Sequence, residues 1–142
     1  MTTALDDDVA KAKRKPSSAS EETKARILDA TLATLKAEGI VGTSARAVAR
    51  AGDFNQALIF YHFGSVDDAI VAAVGKMSER RIQNHRVKLE AATSLPEIIR
   101  VARDLHRDDA ENNNMTVLAQ AFAGAAGDPV VGPKLYAELE PW

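Results

Sequence analysis

At 142 residues, with 46% hydrophobic and 27% charged side chains and a net charge of -2, the chain has the make-up of about one globular domain. The absence of cysteine excludes disulfides and thiolate-held zinc. No apolar run nears the roughly 18 residues a bilayer span requires, and the first thirty residues hold no signal-peptide core, so a cytoplasmic protein is expected, neither membrane-bound nor secreted.

Charge is unevenly placed. Residues 1–10 carry three Asp and no base, residues 11–62 carry nine bases against five acids, and residues 63–142 carry nine against twelve. Only the first half of the chain would therefore draw a polyanion. Residues 1–19 have almost no large apolar side chain to offset the entropy of ordering, and read as a flexible leader. The cluster Lys11, Lys13, Arg14 and Lys15 within it reads as a solvated run or as an arm that follows a nucleic-acid backbone.

From Glu21 the pattern is helical. Ile27, Leu28, Thr31, Leu32 and Leu35 recur at three- and four-residue steps until Gly39. Thr43 is expected to cap a short second helix over 44–51, with Ala45, Val48 and Ala49 on its apolar side and Gly52 as its stop. Asn55 is expected to cap a third, running from Gln56 to about His62 and closed by Gly64. Ser65 and Asp68 form a capping box that opens a long fourth helix reaching about Ala92. Ser94 and Glu97 repeat the device for a fifth helix, whose buried side would be Ile98, Ile99, Val101, Ala102 and Leu105. A sixth covers about 115–126, and a seventh starts near Pro133. With no alternating strand pattern anywhere, the fold class is all-α. The domain division expected is a leader at 1–19, a three-helix DNA-binding domain at 20–65, and a helical regulatory domain at 66–142.

A supporting helix followed by two short helices and a Gly-containing turn is the helix-turn-helix arrangement. The second short helix enters a major groove and must offer polar side chains near its start, where Asn55 and Gln56 stand; Leu58 and Ile59 can then pack inward. The strings Arg26-Ile27-Leu28-Asp29-Ala30, Glu38-Gly39, Thr43 to Ala49, Ala51-Gly52 and Ile59 to Ser65 resemble the TetR family of bacterial regulators in order and spacing. That resemblance implies a sequence-specific transcription regulator, a repressor released by a small-molecule effector, and not an enzyme. It implies that Arg46 and Gln56 read bases, suited by chemistry to guanine and adenine respectively. It further implies that Thr43, Ser44, Tyr61 and His62 contact phosphates. The residues alone also allow Arg46 as a solvated arginine, Gln56 as a helix-start polar residue and His62 as a packed histidine. The sequence departs from the family pattern in a turn one residue longer at Asp53-Phe54, in Phe60 where a tyrosine is usual, and in Val66 where a lysine is usual.

The implied partners are double-stranded DNA carrying a palindromic operator, an unknown effector and, in the family, a second copy of the chain. Since the sequence stops before the helices that build the family's interface, the expectation is an incomplete regulatory domain and no stable homodimer. Ile98, Ala102, Leu105, Leu118 and Phe122 form an apolar stripe that reads as a weak candidate effector pocket or simply as helical core. No metal or other cofactor is expected: His85 and His106 lie far apart on different helices, and Gly124-Ala125-Ala126-Gly127 lacks the Lys-Ser/Thr of a phosphate loop. The rival reading is a truncated helical interaction module that no longer binds DNA specifically.

Overall fold

The computed structural model describes residues 17–140; the basic cluster at 11–15 and Trp142 lie outside the described residues. Seven α-helices and no strand occur among those described: α1 (Ser18–Gly42), α2 (Ala45–Gly52), α3 (Ala57–Phe63), α4 (Val66–Ala91), α5 (Leu95–Glu111), α6 (Asn114–Ala125) and α7 (Val131–Leu139). No single helix is long and apolar enough to cross a membrane.

Local chemistry accounts for most boundaries and corrects several expectations. Ser17 Oγ accepts the Ser20 amide at 3.3 Å, which starts α1 three residues before Glu21. Gly39 breaks its helical run at φ 71°, a conformation that costs glycine little, and one further turn follows. The cap of α2 is Ser44 rather than Thr43: Ser44 Oγ accepts from the Ala47 amide at 3.2 Å, while the Thr43 hydroxyl donates to the Gly39 carbonyl at 2.7 Å. Ser65 caps α4 as expected, its Oγ accepting from the Asp68 amide at 3.0 Å and donating to the Asp68 carboxylate at 2.8 Å. Only half of the second box forms. Glu97 accepts from the Thr93 amide at 2.8 Å, but Ser94 makes no side-chain cap bond. Helix α7 begins two residues before Pro133 because Asp128 Oδ1 accepts from the Val130 and Val131 amides at 2.8 and 2.9 Å.

Two apolar clusters form the core. Ile27, Ala30, Val48, Ile59 and Ala69 draw α1, α2, α3 and the start of α4 together. Leu35, Val74, Met77, Val117, Ala121 and Leu135, with their neighbours, join the rest of α1 and α4 to α6 and α7. Val66 packs against both clusters. That contact explains an apolar side chain at this position.

Helix α5 departs from expectation. Its only buried residue is Asp109, whereas Ile98 and Ile99, assigned to a buried side, are 42% and 49% exposed, and Ala102 is exposed. The helix packs against the C-terminal half of α4 and the start of α6, which cover Val101 and Leu105 in part and leave Ile98, Ile99 and Ala102 on its open side. What fastens it is electrostatic. Arg81 Nε and Nη2 donate to the two Asp109 oxygens at 2.7 and 2.8 Å, a two-pronged pair largely out of water.

Two outcomes follow from this packing. Replacing Ile59 with Ala should lower the unfolding free energy by about 2–5 kcal/mol in urea titrations, whereas Ile98→Ala or Ile99→Ala should change it by less than about 0.5 kcal/mol. The hydrogen-bonded Arg81 guanidinium holds the Asp109 carboxyl below its ordinary value of 3.8, against the opposing effect of burial. A carboxylate with a lowered folded-state value stabilises fully above the ordinary value and loses that contribution as pH falls below it. The stability gap between wild type and Asp109→Asn should therefore be full at about pH 6 and close as pH drops through and below 3.8.

Candidate nucleic-acid interface

The cluster around Ile27 and Ile59 is a platform on which α2 and α3 stand with their polar sides outward. On α2, Ala47, Val48 and Ala49 are buried and Arg46 and Arg50 are exposed. Arg50 spends its charge on Glu38 at 3.3 Å, while Arg46 has no acidic partner among the described residues. Ser44 stands exposed at the head of α2, one residue from the buried Thr43.

On α3, Ile59 is fully buried and Leu58 half-buried, as the inward-facing expectation required. Asn55 is exposed, and its Oδ1 accepts from the Ala57 amide at 2.9 Å, so it supplies the capping bond although Gln56 holds the cap position. Gln56 makes no capping bond, and its exposed amide is available to an outside partner. Tyr61 is 81% exposed and meets the half-buried His62 edge to face, with ring centres 4.9 Å apart. Phe60 is half exposed beside it. The structure thus brings Ser44, Arg46, Asn55, Gln56 and Tyr61 to the exposed sides of one helix pair, leaves His62 partly covered, and buries Thr43.

The longer turn has a packing role. Phe54 inserts its ring beside the cluster, and a Cβ on Gly52 would lie 2.1 Å from that ring and 2.9 Å from the Ala30 Cβ. Glycine is therefore required at position 52. Asp53 closes α2 in the left-handed conformation at φ 53°, and α3 starts one residue later than the pattern suggested.

One residue beneath the helix pair stood in the sequence only as part of the first family-like string, with no role assigned to it. Arg26 Nη2 donates to the carbonyls of Gly52 and Asp53 at 3.1 and 3.2 Å, placing a cation on the carbonyl end of α2. It ties α1 to the turn between the two short helices. Its partners are backbone atoms 26 and 27 residues away, which no spacing rule reveals.

The candidate effector stripe is not assembled. Ile98 and Ala102 are exposed and Leu105, Leu118 and Phe122 half-buried; Phe122 borders an open hollow with Pro133 and Tyr136, while the α5 residues lie elsewhere. Periodicity gave the apolar side of each helix but not which sides meet.

Residues 27–74 match the family model for bacterial regulatory proteins of the tetR family. The match runs from within α1, through α2 and α3, into α4. Solved structures share the wider fold. The fatty acid degradation regulator FadR from Bacillus halodurans superposes with a TM-score of 0.66 at 15% identity, over 82% of this chain and 62% of that one. The multidrug binding protein EbrR superposes with a TM-score of 0.63 at 27% identity in its complex with imidazole, over 84% and 65% of the two chains. Its complex with malachite green gives 0.60 at 26% identity, over 83% and 69%. The chain thus spans less than two thirds of the length of the first two. No curated protein matches it. Arg26, next to the first matched residue, gives a stability prediction: Arg26→Ala should lower the unfolding free energy by about 1 kcal/mol, since an exposed charged hydrogen bond is lost, and Arg26→Lys should restore part of it. Urea denaturation checks it.

Proposed function

We propose that the chain is a sequence-specific DNA-binding transcription regulator, acting as a repressor that a small-molecule effector releases. The observation that carries this reading is the helix pair itself: α2 and α3 stand on a shared apolar platform with Arg46, Asn55, Gln56 and Tyr61 turned to solvent. Arg46 would read guanine through two parallel donors and Gln56 adenine through its amide. Ser44, Tyr61 and the partly covered His62 would contact phosphates, setting register without reading sequence. Thr43 would act through the cap region, because its own hydroxyl is committed to Gly39.

The TetR-family domain would be the DNA-binding unit at about 20–65, and the helices from 66 onward the regulatory part. The preferred partner would be a palindromic operator bound by two copies, with half-sites about 34–36 Å apart or a multiple of that. Effector release is supported by the family and by neighbours such as EbrR, which binds multiple drugs; nothing about those drugs is carried over to this chain.

Selection from randomised duplexes, followed by affinity measurement on the enriched and on random sequences, tests the assignment. Arg46→Ala and Gln56→Ala should each weaken binding to the enriched duplex by about 1–3 kcal/mol and leave binding to random DNA nearly unchanged. Equal losses on both duplexes would show that these side chains do not read bases. No enrichment at all would favour a helical interaction module.

A further inference from the structure

Helix α3 divides into two arcs around its circumference. Ile59 is buried and Leu58, His62 and Phe63 are half-buried, while Gln56, Ala57, Phe60 and Tyr61 are exposed. At about 100° per residue, Gln56, Phe60, Ala57 and Tyr61 follow one another round an arc of about 140°, with Phe60 and Ala57 in its middle. The opposite arc holds Ile59, and Leu58 and Phe63 pack there on the apolar platform. The side chains that point most directly away from the platform are therefore an aromatic ring and a methyl group. Phe60 is 49% exposed and carries neither donor nor acceptor, so it can hydrogen-bond to no phosphate and no base edge. Of the four bases, only thymine presents an apolar group, its C5 methyl, in the major groove.

We propose that Phe60 is a specificity-determining residue that reads a thymine through its methyl group. The inference rests on the DNA-binding regulator proposed above, in which α3 enters the major groove, and adds an apolar contact to the polar ones of Arg46 and Gln56. Gln56 and Phe60 stand one turn apart and about 40° round the helix from each other, so they face the same stretch of groove. Four residues of helix rise about 6 Å, and stacked base pairs are about 3.4 Å apart. The thymine thus lies within about two base pairs of the adenine that Gln56 pairs with. Ring and methyl exclude water from each other and leave no polar group without a partner. A cytosine at that place would turn its N4 amino donor toward a ring that cannot accept it, so the contact favours thymine and rejects cytosine. Tyr61, at the edge of the arc and bearing a hydroxyl, keeps the phosphate role given above.

Replacing each thymine of the enriched duplex by deoxyuridine, one at a time, removes a single methyl and leaves base pairing intact. Fluorescence anisotropy with the full chain then measures what each methyl is worth. One thymine in each half-site, within about two base pairs of the adenine at which Gln56→Ala loses its discrimination, should cost the wild type about three- to fivefold in affinity when its methyl is removed. Phe60→Ala should bind the thymine and deoxyuridine duplexes equally. Phe60→Leu, which keeps an apolar side chain, should still prefer thymine. Both variants change a half-exposed side chain, so both should keep the wild-type thermal unfolding and the wild-type affinity for random DNA. A thymine preference that survives Phe60→Ala, or an equal loss on enriched and random DNA, overturns the proposal. An enriched duplex with no methyl-sensitive thymine removes the role of Phe60 and leaves the regulator standing, whereas the absence of any enriched duplex removes both.

Discussion

Helices α1 and α4 each pass through both apolar clusters, and every other helix is anchored to one of them. Ile27 and Ala30 of α1 and Ala69 of α4 belong to the cluster under the helix pair, while Leu35 and Val74 of the same two helices belong to the other. Where apolar burial is the main stabilising term, a helix shared by two clusters makes their stabilities interdependent. Val66, at the seam of the two clusters, stands where the family pattern has a cation. An apolar contact there strengthens the junction.

The polar links reinforce the same frame. Lys134 of α7 reaches Asp68 at 2.6 Å, and that ammonium, then the Ser65 hydroxyl, holds the Asp68 carboxyl below its ordinary value. The group that shapes the start of α4, directly after α3, is therefore also the one α7 grips. The Arg81 and Asp109 pair does for α5 what apolar packing does for α6 and α7. Helix α5 is held mainly at its C-terminal end.

Much of this was legible in the residues. Gly39, Gly64 and Ser65 mark boundaries because each has a local backbone reason, and the inward sides of α1 and α3 follow from spacing alone. The helix pair and its exposed Arg46 and Gln56 were legible for the same reason: the motif is contiguous. Features that need a distant partner were not. The apolar stripe of α5 had correct periodicity, yet periodicity cannot tell whether another element will face it. Asp128, four or five residues before where α7 was expected to begin, caps that helix through a loop turn that Pro133 overshadowed. Arg26 binds backbone carbonyls across the fold.

The wedge of Phe54 beside Gly52 and Ala30 fixes the turn between α2 and α3. That ring blocks sliding between α1 and the end of α2, and Arg26 grips the carbonyls of the same turn. Sterics and hydrogen bonding thus lock α1, α2 and the turn into a single rigid lever. Across the seam with α4 the joining is apolar, through both clusters, and the loose contacts of Asp29 with Lys76 and Arg80 are the only ion pairs between α1 and α4 among the described residues. The turn that leads into α3 therefore cannot shift without moving α1, and Gln56 stands only three residues beyond Asp53, whose carbonyl Arg26 holds.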